Sequence, residues 1–213
     1  MVQEIDEMTG GIIFAKSAIE ARKIGANEWN DGELAGMTVR RRKDLDQFAG
    51  SGVPFSLLID EGWWGECTGC GGHIDEWFLY DRGLTSSDVI GTLNAAIFCC
   101  QSCKDEYAAR KDREDQAGRE FLKRLCDIVR RRFPNANAVT PEYVYAAEFD
   151  GVVTIRQAVV SFEFPGMKIA AAHLRYDPGH GIGPSQPYYT CASGDREAFE
   201  AWAKSPRFLR EAR

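Results

Sequence analysis

Two pairs of cysteines constrain this chain more than any other feature. Seven cysteines occur in 213 residues, and four of them form two C-x2-C pairs, Cys67 with Cys70 and Cys100 with Cys103. Two intervening residues let both thiolates of a pair face one metal ion from a tight turn, and four thiolates complete the tetrahedral shell that zinc prefers. The spacing therefore predicts one closed, structural Zn²⁺ site with these four ligands.

The residues around the pairs support this interpretation. Glycine at positions 71 and 72 permits the positive φ of a metal knuckle, and the second pair lies where an apolar run meets a predicted helix, whose N-terminus stabilises thiolates. Cys99 adjoins the second pair and is an alternative to Cys100, although the spacing favours Cys100. A redox dithiol and unligated buried cysteines are further alternatives; the first usually follows a βαβ pattern that is missing here. We expect Cys126 and Cys191 to be buried, inert thiols.

Residues 66–110 resemble the treble-clef zinc fingers, which have a C-x2-C knuckle, a hairpin and a second C-x2-C pair on the first turn of a helix. The resemblance covers about 50 residues. It implies a structural zinc but no particular partner, because members of this superfamily have diverse functions. For the whole chain we recognise no family beyond a general similarity to small phage or prophage proteins, which no motif supports.

Some treble-clef proteins are HNH endonucleases, and residues 93–103 resemble the stretch before the second cysteine pair of those enzymes. His73 would then be the general base that activates water. However, His73 is only three residues after Cys70, and Lys104 stands where the family has a histidine. We therefore expect a non-enzymatic protein, with a degenerate HNH-type endonuclease that uses His73 as the alternative.

The hydrophobic periodicity predicts an α+β fold in three parts. Residues 1–65 form a small β-α-β-β unit, with strands at 11–15, 37–41 and 55–60 and a helix that begins with the capping residues Ser17 and Glu20. Residues 66–118 form the treble-clef zinc module and the start of a long helix. This helix spans about 104–133, either in one piece or broken near Gly118.

Residues 119–213 form an α-β-β-β-α unit, a three-stranded antiparallel meander with flanking helices. The strands are predicted at 143–149, 152–164 and 167–176, with a two-residue turn at Asp150 and Gly151 and a bulge near Gln157. The order resembles the topology of double-stranded-RNA-binding domains. Those domains carry a basic cluster at the start of the last helix, where this chain has Asp195 and Glu197.

The charge distribution favours a protein partner and leaves nucleic acid as a second possibility. The net charge is −6; residues 1–76 carry −7, whereas residues 77–133 carry +2. A protein that coats DNA is usually strongly basic, which excludes that class. The residues that we predict to contact nucleic acid or another partner are Arg40, Arg41, Arg42, Lys43, Arg130, Arg131, Arg132, Arg175 and His180.

Two further regions have competing interpretations. The Gly/Pro-rich loop 177–187 contains His180 and follows His173 and Arg175, so it is either a functional loop, with metal binding as one option, or a surface loop with incidental histidines. The aromatic residues near the first cysteine pair would stack on bases or anchor a partner, but we expect them to build the core of a small metal domain. They are Trp63, Trp64, Trp77, Phe78 and Tyr80.

We expect a cytoplasmic protein. The N-terminus lacks the basic and apolar regions of a signal peptide, and an odd number of cysteines argues against a disulfide framework. No apolar run approaches the roughly 20 residues that span a bilayer, so we expect no membrane association. A homo-oligomer is compatible with the sequence.

Overall fold

The computed structural model describes residues 2–4, 10–180 and 187–204, without the side chains of residues 2–4 and 180. The chain divides into two compact units, Met1–Asp105 and Glu106–Arg213. Each unit combines helices with antiparallel strands, which confirms the α+β class. In the described part of the chain, no helix has the length and hydropathy needed to cross a membrane.

The first unit begins with a small antiparallel sheet and one helix. Strands β1 (Val2–Glu4), β2 (Gly10–Gly11) and β3 (Met37–Val39) pair in the order β2-β1-β3, and helix α1 (Ala18–Trp29) connects β2 to β3. The predicted cap is confirmed, because the backbone N–H of Glu20 donates to the Ser17 hydroxyl at 3.2 Å. The helix packs on the sheet through a small core of Ala21, Ala26 and Met37.

Two of the strands predicted for this unit are not formed as expected. The apolar run at 55–60 contains helix α2 (Ser56–Ile59) instead of a strand. Of the strand predicted at 11–15, only Gly11 lies in a strand, β2. A short apolar run can be buried equally well as a strand or as a helical turn. Here the helical turn buries Leu58 and Ile59 while Leu57 remains 44% exposed.

The rest of the first unit surrounds the cysteine pairs. Strands β4 (Gly65–Glu66) and β5 (His73–Ile74) form a two-stranded hairpin, followed by helix α3 (Glu76–Asp81) and a 3₁₀ turn at Ser86–Asp88. Residues Ile90 and Phe98 then form an antiparallel bridge. The buried side chains of this region include Val53, Phe55, Leu58, Ile74, Leu79, Val89 and Phe98.

Helix α4 (Gln101–Arg132) is a single helix that continues through Gly118, and the boundary between the two units falls within it. The second unit continues with strands β6 (Asn137–Phe149), β7 (Val152–Glu163), β8 (Ala172–Tyr176) and β9 (Tyr188–Thr190), and with helix α5 (Arg196–Ala203). The four strands pair antiparallel in chain order. The predicted three-stranded meander therefore has a short fourth strand, β9.

Both predicted irregularities of this sheet are confirmed. Asp150 and Gly151 have φ values of 49° and 76°, as a type I′ hairpin turn requires. The pairing changes from Tyr145 with Gln157 to Ala146 with Ile155, which leaves Arg156 as the extra residue of a bulge. The shift keeps apolar residues on one face of β7 on both sides of the bulge.

The core of the second unit lies between one face of the sheet and the apolar face of α4. Fully buried cross-strand partners are Val160 with Leu174 and Phe162 with Ala172. The Phe133 ring at the end of α4 stacks on Trp202 of α5, with ring centroids 4.6 Å apart. Burial of each large side chain contributes about 1.5–3 kcal/mol, so this face holds the unit together.

Candidate metal centre

The first cysteine pair lies on the tight turn between β4 and β5. The backbone N–H of Cys67 donates to the carbonyl of Gly72, and that of Gly71 donates to the carbonyl of Cys67, both at 2.8 Å. Gly71 has a φ of +70°, a left-handed conformation that glycine adopts without steric cost. The turn therefore has the closed hydrogen bonding of a metal knuckle, with Cys67 buried and Cys70 exposed.

The other cysteines come from the start of α4. Two backbone hydrogen bonds join Ile90 and Phe98, at 2.9 and 2.8 Å, and place Cys99 immediately before the helix. Cys103 lies in the first helical turn, and its Sγ is 3.6 Å from the Sγ of Cys67. The backbone N–H of Cys99 donates to the same Cys67 sulfur at 3.3 Å, so this sulfur joins the knuckle to the helix.

Four sulfur atoms form a compact group that can hold one metal ion. The Sγ atoms of Cys67, Cys70, Cys99 and Cys103 all lie within 4.8 Å of one another. A tetrahedral ion with metal–sulfur bonds of about 2.3 Å would separate its sulfurs by about 3.8 Å. The group fits such an ion after small side-chain movements, and four soft thiolates suit zinc or iron better than magnesium or calcium.

The structure has Cys99 in the place that the spacing assigned to Cys100. Cys99 is fully buried in the group, whereas Cys100 is half-buried, with its Sγ 4.0 Å from that of Cys99. Cys99 precedes α4, and the bridge that ends at Phe98 places its backbone N–H on the sulfur of Cys67, which also lies 3.6 Å from the sulfur of Cys103. The C-x2-C count records how many residues separate two cysteines but not the direction in which each side chain points.

The surroundings of the four sulfurs favour the thiolate form of Cys67 only, and a bound cation is needed to ionise the other thiols as well. Burial raises the pKa of Cys67, but hydrogen bonds from the backbone N–H groups of Cys70, Cys99 and Gly69 outweigh it and bring that pKa to about 7. Burial, together with the neighbouring thiols, raises the pKa of Cys103 to about 12 and also raises that of Cys99. A divalent ion would remove this mutual repulsion, because it stabilises all four thiolates at once.

Close packing between the knuckle and α4 leaves no room for a side chain at Gly69. A Cβ atom at this position would lie 2.7 Å from the carbonyl oxygen of Cys103 and 3.1 Å from its sulfur. The sequence-based interpretation singled out the two glycines that follow the pair and missed this one. The signal was present, since Gly69 lies between the two cysteines of the knuckle.

The basic run at residues 40–43 lies in the first unit and is partly neutralised there. Arg41 forms an ion pair with Asp46 at 2.5 Å, and Arg42 pairs with Asp44 at 2.5 Å and with Glu61. The hydrogen bonds that Arg42 donates to Asp44 and, with a smaller effect, to Glu61 raise the pKa of Arg42. Arg40 and Lys43 are exposed at the ends of the run.

The second predicted basic run, Arg130 to Arg132, forms the exposed last turn of α4. Arg130 is 3.3 Å from the carboxylate of Asp127, and the guanidinium of Arg132 lies 6.0 Å from the ring of Phe133. Cations at this end of a helix are stabilised by the helix dipole, so the run has a structural reason to be there.

Arg175 lies on the sheet face opposite α4. Successive strand pairs align Tyr143, Val159, Arg175 and Tyr188 in one row across the sheet, and the guanidinium of Arg175 donates to the Thr190 hydroxyl at 3.2 Å. The side chain of His180 and residues 181–186 of the predicted loop lie outside the described part of the chain. His173 is 3.5 Å from the carboxylate of Glu142.

His73 is an exposed residue of the knuckle hairpin. Its ring stacks on Trp64 with centroids 4.5 Å apart, and its Nε2 atom is 3.5 Å from the carboxylate of Asp75. Within the described residues, the groups of three or more potential metal ligands do not include His73. Among the residues that the structure describes, no group of three potential metal ligands surrounds the general base of the nuclease alternative.

Most of the aromatic residues near the knuckle are not core residues, contrary to the expectation from the sequence. Trp64, Trp77 and Tyr80 are 64%, 77% and 76% exposed. Leu79 and the other buried aliphatic side chains fill the small core of this region instead. A short helix such as α3 can bury only one side, so it cannot place every aromatic residue of its sequence inside.

The two cysteines outside the knuckle and α4 start belong to the second unit. Cys126 is buried in the core between α4 and the sheet, where burial raises its pKa, as expected for an inert thiol. Cys191 is only half-buried beside the same core.

No known protein family matches the chain, and no curated protein or solved structure is significantly similar to it. The fold and the site define it as an α+β protein with a four-cysteine cluster whose geometry is consistent with a zinc-finger-like metal site. The assignment rests on the geometry of the four sulfurs.

Proposed function

We propose that this is a zinc-binding, non-enzymatic interaction protein, in which one structural Zn²⁺ holds the knuckle against the start of α4. The ligands are Cys67, Cys70, Cys99 and Cys103, and the observation that carries the proposal is the position of their sulfurs within 4.8 Å of one another. A knuckle, a bridged turn and a helix that carries the last ligand follow the order of a treble-clef finger.

The four-thiolate set supports a structural rather than a catalytic ion. A catalytic zinc keeps one position open for water or substrate, whereas four protein ligands close the tetrahedral shell. Because such a site forms only in the folded chain, the free energy of metal binding adds to the free energy of folding. All seven cysteines are free thiols, which suits the cytoplasmic location that we propose.

Metal content and metal-dependent stability of the full-length protein test this function. Elemental analysis is expected to give one zinc per chain, and a strong chelator is expected to lower the thermal midpoint of unfolding. The variant Cys126→Ser serves as a matched control, since it removes a buried thiol outside the group and is expected to keep the zinc. Zinc well below one per chain, or an unchanged midpoint after chelation, would contradict the proposal.

The enzyme alternative has a separate test. A degenerate HNH-type endonuclease would nick plasmid DNA in the presence of Mg²⁺, and His73→Ala would abolish this activity because the general base is lost. Our proposal expects no nicking by either protein. Since His73 is exposed and lies outside the four-cysteine group, its substitution is expected to leave the zinc content unchanged.

A further inference from the structure

We propose that an aromatic face beside the zinc knuckle binds an arginine- or lysine-rich segment of a partner protein. The aromatic face consists of two pairs of exposed residues, Trp64 with His73 on the knuckle hairpin and Trp77 with Tyr80 on α3. This inference deepens the proposed function and rests on it, because it takes binding, and not catalysis, as the role of the zinc-stabilised unit.

The three large rings of the aromatic face are mostly exposed to water. Trp64, Trp77 and Tyr80 keep 64%, 77% and 76% of their surfaces in contact with water. Since an aromatic side chain can bury 150–250 Å², the three together leave on the order of 400 Å² of ring surface exposed. Exposed tryptophan and tyrosine rings are the side chains that most often anchor protein interfaces, so this surface is a candidate contact area.

The knuckle hairpin and α3 hold these rings without burying them. Trp64 stacks on His73 of β5, and Asp75 caps α3 by accepting the backbone N–H of Phe78 at 2.7 Å. The helix is anchored through the buried Leu79 and through Phe78, whose ring fills the space beside Gly72. Trp77 and Tyr80, three residues apart, project together from the helix surface. The rings are therefore held on a built surface next to the metal centre.

The charge around the rings selects a cationic occupant. Residues 60–82 contain one basic residue, Arg82, and six carboxylates, and the first unit as a whole has 9 basic and 17 acidic residues, a net charge of −8. The six carboxylates belong to Asp60, Glu61, Glu66, Asp75, Glu76 and Asp81, of which Glu61 is paired with Arg42. Phosphate groups of a nucleic acid would be repelled by this charge, whereas guanidinium and ammonium groups are attracted both by carboxylates and by the faces of aromatic rings.

A contact within the protein illustrates the same chemistry. The guanidinium of Arg82 lies over the ring of Phe78, 4.4 Å from its centroid, directly beside the aromatic face. Phe78 is thus already occupied by a cation, while the indole rings of Trp64 and Trp77 remain exposed. Tryptophan is the most favourable ring for a cation–π contact, so these two rings are the expected anchors for the partner.

Fluorescence anisotropy with labelled peptides tests the occupant. The probes are a peptide of alternating arginine and serine and the matched peptide of glutamate and serine, added to the full-length, zinc-loaded protein. The arginine peptide is expected to bind and the glutamate peptide is not. The double variant Trp77→Ala, Tyr80→Ala is expected to weaken binding by at least about 10-fold, as for anchor residues of an interface. The control Phe149→Ala removes a ring that is 74% exposed in the second unit and is expected to change binding by less than about 2-fold.

A pair of charge variants separates a local site from general attraction to an acidic protein. Glu76→Lys and Glu28→Lys change the net charge equally, and both residues are exposed on helices of the first unit. Glu76→Lys is expected to weaken binding of the arginine peptide by at least about 5-fold, and Glu28→Lys by less than about 2-fold. Equal losses would overturn the proposal, as would unchanged binding after loss of Trp77 and Tyr80.

Two other occupants would also overturn the proposal. One is a single-stranded oligothymidine that binds the wild-type protein more tightly than the arginine peptide does and no longer binds the double variant Trp77→Ala, Tyr80→Ala. The other is self-association in sedimentation experiments that the same variant abolishes. Zinc measured in the same samples distinguishes the two proposals. Full zinc content without peptide binding refutes the cationic partner alone, and peptide binding without zinc refutes the structural zinc alone.

Discussion

The substitution Cys99→Ser is expected to weaken metal binding far more than Cys100→Ser. Cys99 is buried, and its sulfur belongs to the group of four that lie within 4.8 Å of one another. Cys100 has its sulfur 4.0 Å from that of Cys99 and is half-buried. A hydroxyl at position 99 replaces a soft, ionisable ligand by a neutral one that zinc binds poorly, whereas the same change at position 100 leaves all four thiolates in place.

The size of the effect follows from the number of ligands. Structural zinc sites bind with about 10–16 kcal/mol at neutral pH, which is about 2.5–4 kcal/mol for each of four thiolates. At about 1.4 kcal/mol for each factor of ten, Cys99→Ser is expected to weaken binding by about 60- to 700-fold. The backbone N–H of Cys99 still donates to Cys67 in this variant, so the loss measures the missing ligand. Cys100→Ser is expected to weaken binding by about 10-fold at most, the lower end for a residue that contacts a ligand without being one.

Cobalt titration provides the assay. Tetrahedral Co²⁺ bound to thiolates gives a sulfur-to-metal charge-transfer absorption that grows with the number of thiolates, and zinc competes for the same site. Wild type, Cys100→Ser and the control Cys126→Ser are expected to give equal absorption, and Cys99→Ser a weaker one. Metal loss in Cys100→Ser with retention in Cys99→Ser would refute the assignment of Cys99 and restore the C-x2-C ligand set.

Three further predictions concern the packing of the site and of the second unit. Gly69→Ala is expected to weaken zinc binding in the same competition assay, because its Cβ would lie 2.7 Å from the carbonyl oxygen of Cys103; unchanged affinity would show that the knuckle can move away from α4. Phe162→Ala is expected to cost about 3–5 kcal/mol in urea unfolding, since the ring is fully buried, and a loss below about 1 kcal/mol would contradict this core. Asp195→Asn is expected to destabilise the protein at pH 7. Burial raises the pKa of Asp195, but hydrogen bonds from the backbone at 168–170 outweigh it and lower that pKa. Its contribution is therefore present above the usual carboxyl pKa of 3.8 and is lost as the pH falls through the lower folded value. Thermal midpoints of wild type and variant should accordingly converge at low pH, and a constant difference would refute the role of the charge.

Local signals in the sequence predicted much of the second unit. The alternation of apolar residues, the Asp150–Gly151 turn and the phase change near Gln157 correctly located the long hairpin and its bulge. These features depend on neighbouring residues alone, because a two-residue turn and a period of two set the register of a hairpin. Strand β9 has only three residues, too few for a periodic pattern, so its pairing with β8 did not follow from the alternation of apolar residues.

Features that depend on packing were predicted less well. The run at 55–60 was expected to form a strand and forms a helical turn, since an apolar run specifies burial but not backbone conformation. Trp64, Trp77 and Tyr80 were expected in the core, and their exposure depends on how few side chains the small core around the knuckle accommodates. The ion pair of Arg42 with Glu61, 19 residues away, is likewise set by the fold, and a partner contact of Arg42 stays a prediction.

Paired cysteines and the glycines that follow the first pair belong to a local knuckle, so the amino-acid sequence alone predicts a four-cysteine site. The helical pattern after the second pair also predicts that a long helix follows the site. The fold selects Cys99 over Cys100 as the residue whose sulfur lies with the other three. A sulfur joins the group only if its side chain points toward it, and that direction is set by the bridge between Ile90 and Phe98 together with the first turn of α4.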